Sequence, residues 1–252
     1  MSVFLALLAA AGAAAPICTD RPAKANATCT VPPGKVQLES SFAGWSLTKG
    51  SGTRSELLTI GSTVVKVGVT DRADVQVGIT PFARLTVRDG GSRSGFGDVL
   101  VRYKQRLTAD GSKVQVAAIP FVKLPSAQGD LGNGKVEGGI AVPLSFALFG
   151  PMTMTLGPEA DLLADSDGDG RHLALVNLIN VAGPIAPRLT LAGELWSNLN
   201  FDPAGTIRQA SADAALAYAV SNDLQLDAGA NLGLTSDTPD VELYVGASAR
   251  FR

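Results

Sequence analysis

Charge is scarce in this sequence. Asp, Glu, Lys and Arg make up 17% of the residues, too small a share for a disordered chain. Neither sign dominates: 21 basic against 23 acidic residues leave a net charge of −2, which offers nucleic acid no basic surface. Histidine occurs once and cysteine twice, so a zinc site would need carboxylates to complete it, and no cofactor is called for. Long apolar runs are missing too. Val3–Ala11 is too short to span a bilayer and reads as the apolar core of a signal peptide over residues 1–14. Cleavage is expected after Ala13 or Ala14, although no Lys or Arg precedes the apolar core. Ile17 is too bulky for the position before a lipidated Cys18. Gly138–Pro158 runs 21 residues without a charge, but Pro143, Pro151, Pro158 and four glycines break any helix there.

What is present is glycine (28), proline (14) and a two-residue alternation that suits a chain with one apolar and one polar surface. The C-terminal hairpin is clearest. Leu224, Leu226, Ala228, Ala230, Leu232 and Leu234 alternate with Gln225, Asp227, Gly229, Asn231 and Gly233; Val241 to Phe251 repeats the pattern. Alternation and turn residues predict twelve strands, near 35–47, 55–69, 74–87, 96–107, 113–124, 135–147, 152–163, 172–182, 188–198, 208–220, 223–234 and 240–251. The repeat of about 18 residues exceeds the spacing of about 8–12 in soluble sandwiches, and strands of about 9–11 residues suffice to cross a bilayer. The connections alternate as well. Thr70–Ala73, Thr108–Ser112, Leu148–Gly150, Gly183–Pro187 and Ser221–Asn222 are tight. Lys49–Arg54, Arg88–Gly95, Pro125–Gly134, Ala164–Arg171, Leu199–Ile207 and Ser236–Pro239 are longer or more polar. The expected fold is an all-β, up-and-down antiparallel transmembrane barrel over residues 35–252, its termini on the periplasmic side. A secreted β-sandwich is the soluble alternative.

Residues 15–34 form an expected N-terminal periplasmic segment. In an oxidising compartment Cys18 and Cys29 read as one disulfide clipping a short loop, with two unpaired thiols as the alternative.

If the apolar parity faces lipid, the charged parity lines the lumen, because charge is costly against hydrocarbon. It carries Glu39, Glu56, Lys66, Arg84, Asp98, Arg102, Lys104, Arg106, Glu137, Glu159, Asp161, Arg188, Glu194, Asp213, Asp227, Glu242 and Arg250. This is either a polar conduit with a selectivity field or an ion-pair network filling a narrow barrel. Arg102, Lys104 and Arg106 form a single-sign row, the candidate anion-attracting wall. Outward Tyr103, Phe146, Tyr218 and Phe251 are expected to form part of an aromatic girdle. Asp165, Asp167 and Asp169 with Gly170 imitate the start of a calcium loop, but its twelfth position is Val176, so a solvated turn is favoured. His172 has no serine beside it in sequence, which argues against a hydrolase and for no enzyme activity.

Several motifs bear on kinship: Cys18…Asp20-Arg21-Pro22…Cys29-Thr30-Val31-Pro32-Pro33-Gly34, Gly68-Val69-Thr70-Asp71, Gly95–Asp98, Asp167–His172 and Asn231–Val245. Together they resemble the outer-membrane proteins named for the meta-pathway of phenol degradation, over nearly the whole mature chain. The chain departs from the usual ending by placing Arg252 after Phe251. The resemblance implies a bacterial outer-membrane barrel that passes small solutes, aromatic or hydrophobic compounds among them. Its partners would be outer-membrane lipid, a small-molecule solute and the barrel-assembly machinery. A non-conducting structural or surface-interaction barrel is the alternative, and an outer-membrane lipid hydrolase the third.

Overall fold

The structure, a computed structural model, describes residues 16–50 and 52–251; the expected signal peptide lies outside them. Sixteen strand segments form one sheet: β1 (Val36–Gly50), β2 (Thr53–Thr70), β3 (Ala73–Ile79), β4 (Phe82–Val87), β5 (Gly91–Gly95), β6 (Val99–Arg106), β7 (Val114–Leu124), β8 (Glu137–Ala141), β9 (Leu144–Ala147), β10 (Thr153–Leu156), β11 (Glu159–Ala164), β12 (Arg171–Ala186), β13 (Leu189–Asn200), β14 (Ile207–Ser221), β15 (Leu224–Gly233) and β16 (Val241–Phe251). All pairings are antiparallel, and β1 bonds both β2 and β16, so the sheet closes on itself. Four segment pairs, β3/β4, β5/β6, β8/β9 and β10/β11, are single barrel strands interrupted once. The result is the expected closed barrel of twelve strands. Pro81, Pro143 and Pro158 sit at three of the interruptions, each lacking the N–H that a ladder needs. No helix among the described residues is long and apolar enough to cross a membrane; the strands do so.

Two connections differ from expectation. Lys49–Arg54 is no long loop, because β1 and β2 stay paired up to Gly50 and Thr53. Arg88–Gly95 is mostly strand: Asp89 (φ 62°) and Gly91 (φ 83°) adopt left-handed conformations that turn the chain tightly, and Gly91–Gly95 pairs with β4.

Burial is inverted relative to a soluble protein. The largest fully buried side chains include Lys66, Lys104, Gln37, Gln76 and Asp74, whereas Val75, Val77, Val101, Leu191, Leu195, Leu226, Leu243 and Val245 are exposed. Such a belt is stable only against lipid. Tyr103, Tyr218 and Phe251 are exposed at the end bearing the termini, with Phe146 half-buried nearby.

The alternation is broken along one line. Successive lumen-facing residues in a strand should lie two apart. Across the breaks they lie three apart: Ser41 to Gly44, Thr59 to Ser62, Thr80 to Ala83, and Gly95 to Asp98. The register shifts between Ser41 and Ala43, and Gly61 takes a positive φ, so each strand carries one extra residue there. Beyond this line, on the side away from the termini, the faces exchange.

Leu226 tests the architecture. Leu226→Arg puts a charge on the lipid face, where the cost is about 2–4 kcal/mol at the midplane and falls to about 0–1 kcal/mol near the interfaces; Leu226, paired with Tyr218 of the girdle, should lie toward the lower end. A Leu226→Cys variant should resist water-soluble thiol reagents in membranes and be quenched by lipid-borne probes. Free aqueous labelling there would contradict the barrel.

Candidate functional site: the lumen and its plug

The N-terminal segment before β1 has no regular structure, yet it holds the lumen together. Cys18 and Cys29 are disulfide-bonded, with Cα atoms 5.9 Å apart, and clip a loop whose side chains reach the barrel wall. The returning chain is tied near the termini. Val31 N donates to Asp74 Oδ2 (2.9 Å), and Gly34 N donates to the Gly68 carbonyl (3.0 Å). Gly68 is required there, since a Cβ would overlap the Pro32 carbonyl.

The loop bridges two walls of opposite sign. On the basic side, Asp20 takes Lys66 Nζ (2.5 Å) on β2 and Lys104 Nζ (2.7 Å) on β6. Lys66 also pairs with Glu39 (2.6 Å), and Lys104 donates to the Ala27 carbonyl. Both lysines are 1% exposed, a position where an ammonium without a carboxylate is untenable. Burial works to raise the Asp20 pKa, but Lys104, Lys66 and Arg102 together outweigh it and hold the carboxyl well below its usual range. Arg102 donates to Asn26 Oδ1.

On the acidic side, Arg21 forms a two-pronged pair with Asp227 on β15 (Nη2 to Oδ1 2.6 Å, Nε to Oδ2 3.1 Å) and donates to Ser41 Oγ. Gly246 makes room for that guanidinium. Lys24 Nζ meets Asp213 (2.9 Å), Ser211 Oγ (2.7 Å) and Glu242 (3.9 Å), and lies 4.5 Å from the Trp196 ring centroid. Glu194 accepts the backbone N–H groups of Lys24 (3.1 Å) and Ala25 (2.9 Å).

Of the residues picked from sequence, Arg102, Lys104, Glu194, Asp213, Asp227 and Glu242 thus converge on the loop. Arg106 bonds Asp110 and the Asp71 carbonyl in the turns at the end bearing the termini, so the cationic row serves separate local partners. Arg250 pairs with Asp223 (2.6 Å) at the same end. Glu159 and Asp161 border a cavity of about 330 Å³ together with Lys24, Asn26 and Asn198. Arg84 lies beyond the line of breaks, exposed on the face opposite buried Ala83, its guanidinium 5.8 Å from the Phe82 ring. Glu56 is placed outward likewise, accepting from Trp45 Nε1 (3.1 Å). Asp165 is bonded to His172 Nδ1 (2.8 Å), and among the described residues no three His, Cys, Asp or Glu side chains gather as a metal site. Sequence reasoning gave no lumen role to Asp20, Arg21 and Lys24, which were marked by their position inside the Cys18–Cys29 clip and, for Asp20 and Arg21, by the Asp20-Arg21-Pro22 run that enters the family resemblance.

Above the loop, away from the termini, lies a cavity of about 590 Å³. Asp20, Arg21, Lys24 and Asn26 floor it. Val64, Leu100, Phe121 and Leu163 give it an apolar flank beside Lys123, which pairs with Glu137 (2.7 Å) and Asp98 (3.4 Å).

The model of a family described as "Putative MetA-pathway of phenol degradation" matches residues 19–251. No curated protein matches the sequence. Among solved structures, an outer membrane channel from Pseudomonas putida F1 superposes with a TM-score of 0.67 at 14% identity, covering 89% of this chain and 98% of that one. The translocator domain of the autotransporter NalP from Neisseria meningitidis gives 0.57 at 11% identity, covering 88% and 90%. The NanC porin gives 0.54 at 13%, covering 86% and 100%. At these identities the likeness is one of fold.

Asp20→Asn tests the bridge. It leaves Lys104 without a carboxylate and Lys66 with Glu39 alone, and should cost about 3–5 kcal/mol in denaturant unfolding. The depressed Asp20 pKa sets the sign with pH. Its contribution is complete above the unfolded carboxyl pKa of about 3.9 and is lost as pH falls from there toward the folded value. The wild-type advantage over Asp20→Asn should therefore hold from neutrality down to about pH 4 and shrink below it. An advantage that disappears between pH 7 and 5 would contradict the assignment.

Proposed function

This chain belongs to that phenol-degradation family, and from that premise we propose that it is a passive channel for small solutes in the bacterial outer membrane, aromatic or hydrophobic compounds among them. The observation that carries the reading is the cavity of about 590 Å³ inside a closed, polar-lined barrel. A barrel built only as a scaffold has no need of such a space, and the apolar flank formed by Val64, Leu100, Phe121 and Leu163 suits the body of an aromatic or aliphatic solute. The N-terminal loop is the constriction on the path.

The buried ion pairs of that loop favour a second reading, a barrel that does not conduct at rest. A hydrolase finds less support. Asp165 and His172 form the carboxylate–imidazole half of a triad, but His172 Nε2 has no hydrogen-bond partner where a serine hydroxyl would be needed.

Planar-bilayer recording distinguishes the readings. The wild type should give small single-channel events, and deletion of residues 16–34 should raise the conductance severalfold in a barrel that still shows strand circular dichroism. Silence from both folded proteins would leave the non-conducting barrel.

A further inference from the structure

Lys24, like Arg21, carries its charge among barrel-wall groups of three kinds at once. Its ammonium faces a carboxylate, a buried hydroxyl and an aromatic ring, all from the closing half of the barrel. Ser211 and Asp213 stand on β14, Trp196 on β13 and Glu242 on β16. Ser211 is 1% exposed and the Asp213 side chain 5%, so this pocket is formed by the wall and not by mobile surface groups. Lys24, by contrast, keeps 27% of its side chain exposed and arrives on a loop. It behaves as a ligand on a tether.

We propose that the pocket formed by Ser211, Asp213, Trp196 and Glu242 is a binding site for a primary ammonium group, and that Lys24 is its tethered occupant, displaced by a small solute carrying an amine on an apolar body. The inference rests on the channel reading and names one solute class for it. The chemistry is selective. The ammonium donates to Ser211 Oγ, is ion-paired with Asp213 at 2.9 Å and, at longer range, with Glu242 at 3.9 Å, and its charge is drawn to the Trp196 face. An uncharged solute would leave Asp213 buried without a cation, a costly state. Room for the solute body adjoins the site: the cavity of about 330 Å³ beside Lys24 and Trp196 is walled by Ala141, Pro143, Val176 and Leu178 as well as by Asn26, Glu159, Asp161 and Asn198. A tethered competitor acts at an effective concentration on the order of mM, so free amines should bind the wild type weakly and the untethered site much better.

Trp196 reports the occupant. The chain has two tryptophans, so Trp45→Phe leaves Trp196 as the single fluorophore. In that background, Lys24→Ala should show a saturable Trp196 fluorescence change with 2-phenylethylamine at neutral pH. Binding should be at least tenfold tighter than with Lys24 in place, and at least tenfold tighter than for neutral 2-phenylethanol. Adding Asp213→Asn should abolish the preference for the amine. Lys24→Gln, which keeps the length and removes the charge, gives the same comparison should the alanine variant not fold. Equal affinity for amine and alcohol, or an amine preference that survives Asp213→Asn, would overturn the proposal. Conductance plays no part in the readout, so failure here leaves the channel reading standing, and silence in bilayers leaves this one.

Discussion

Lys66 and Lys104 stand inside a barrel whose outside faces lipid, and Asp20 holds both as ammonium groups, alone at Lys104 and together with Glu39 at Lys66. The rest of the lumen follows from that constraint. Lys66, Arg102 and Lys104 on β2 and β6 outnumber Glu39 on β1 and Asp74 on β3 beside them, while carboxylates gather on β13 to β16, so the interior has a cationic region and an anionic one. A chain that enters between them must be negative on one side and positive on the other. The N-terminal loop is, with Asp20 turned to the lysines and Arg21 and Lys24 turned to Asp227 and Asp213. The disulfide limits the conformations that would otherwise oppose this placement. Lumen charge, plug and clip are one arrangement.

The same accounting explains where space remains. The plug covers the half of the lumen near the termini, and the cavity of about 590 Å³ lies on its far side, where fewer fixed charges face inward and Leu100, Phe121 and Leu163 take their place. The line of breaks crosses the wall at this level. It exchanges the two faces of β1, β2 and the β3/β4 and β5/β6 strands, which sends Arg84 and Glu56 outward at the rim and brings Gly44 and Ala83 inward. A rim rich in polar side chains and an interior of small residues suit a mouth through which a solute enters.

Most of the barrel was legible because a strand with lipid on one side and water on the other must alternate, and nothing in the C-terminal hairpin disturbs that period. Strand number, closure and the orientation of Arg102, Lys104, Glu194, Asp213 and Asp227 all follow from parity alone. Parity misleads at Arg84 and Glu56 because one extra residue per strand at Ser41–Gly44, Thr59–Ser62, Thr80–Ala83 and Gly95–Asp98 cannot be counted from hydropathy. Pro81 and the Gly-Phe-Gly-Asp run were the available signs of it. The plug was illegible for a different reason. Its segment has no period, and its partners lie up to 229 positions away in the chain, so only the two cysteines and the Asp20-Arg21-Pro22 run marked it. Arg21 holds Asp227 although 206 positions separate them, a pairing that sequence spacing does not favour.

Hydrogen–deuterium exchange across residues 19–27 tests the central claim, that charge complementarity fixes this irregular segment inside the barrel. The amides of Asp20, Lys24, Ala25 and Ala27 each donate to a carboxylate, from Glu39, Glu194 and Asp20. In the folded protein this peptide should exchange as slowly as the neighbouring strands, and Asp20→Asn should speed it while the strands stay protected. Exchange of the wild-type peptide at the rate of an unstructured chain would contradict the account.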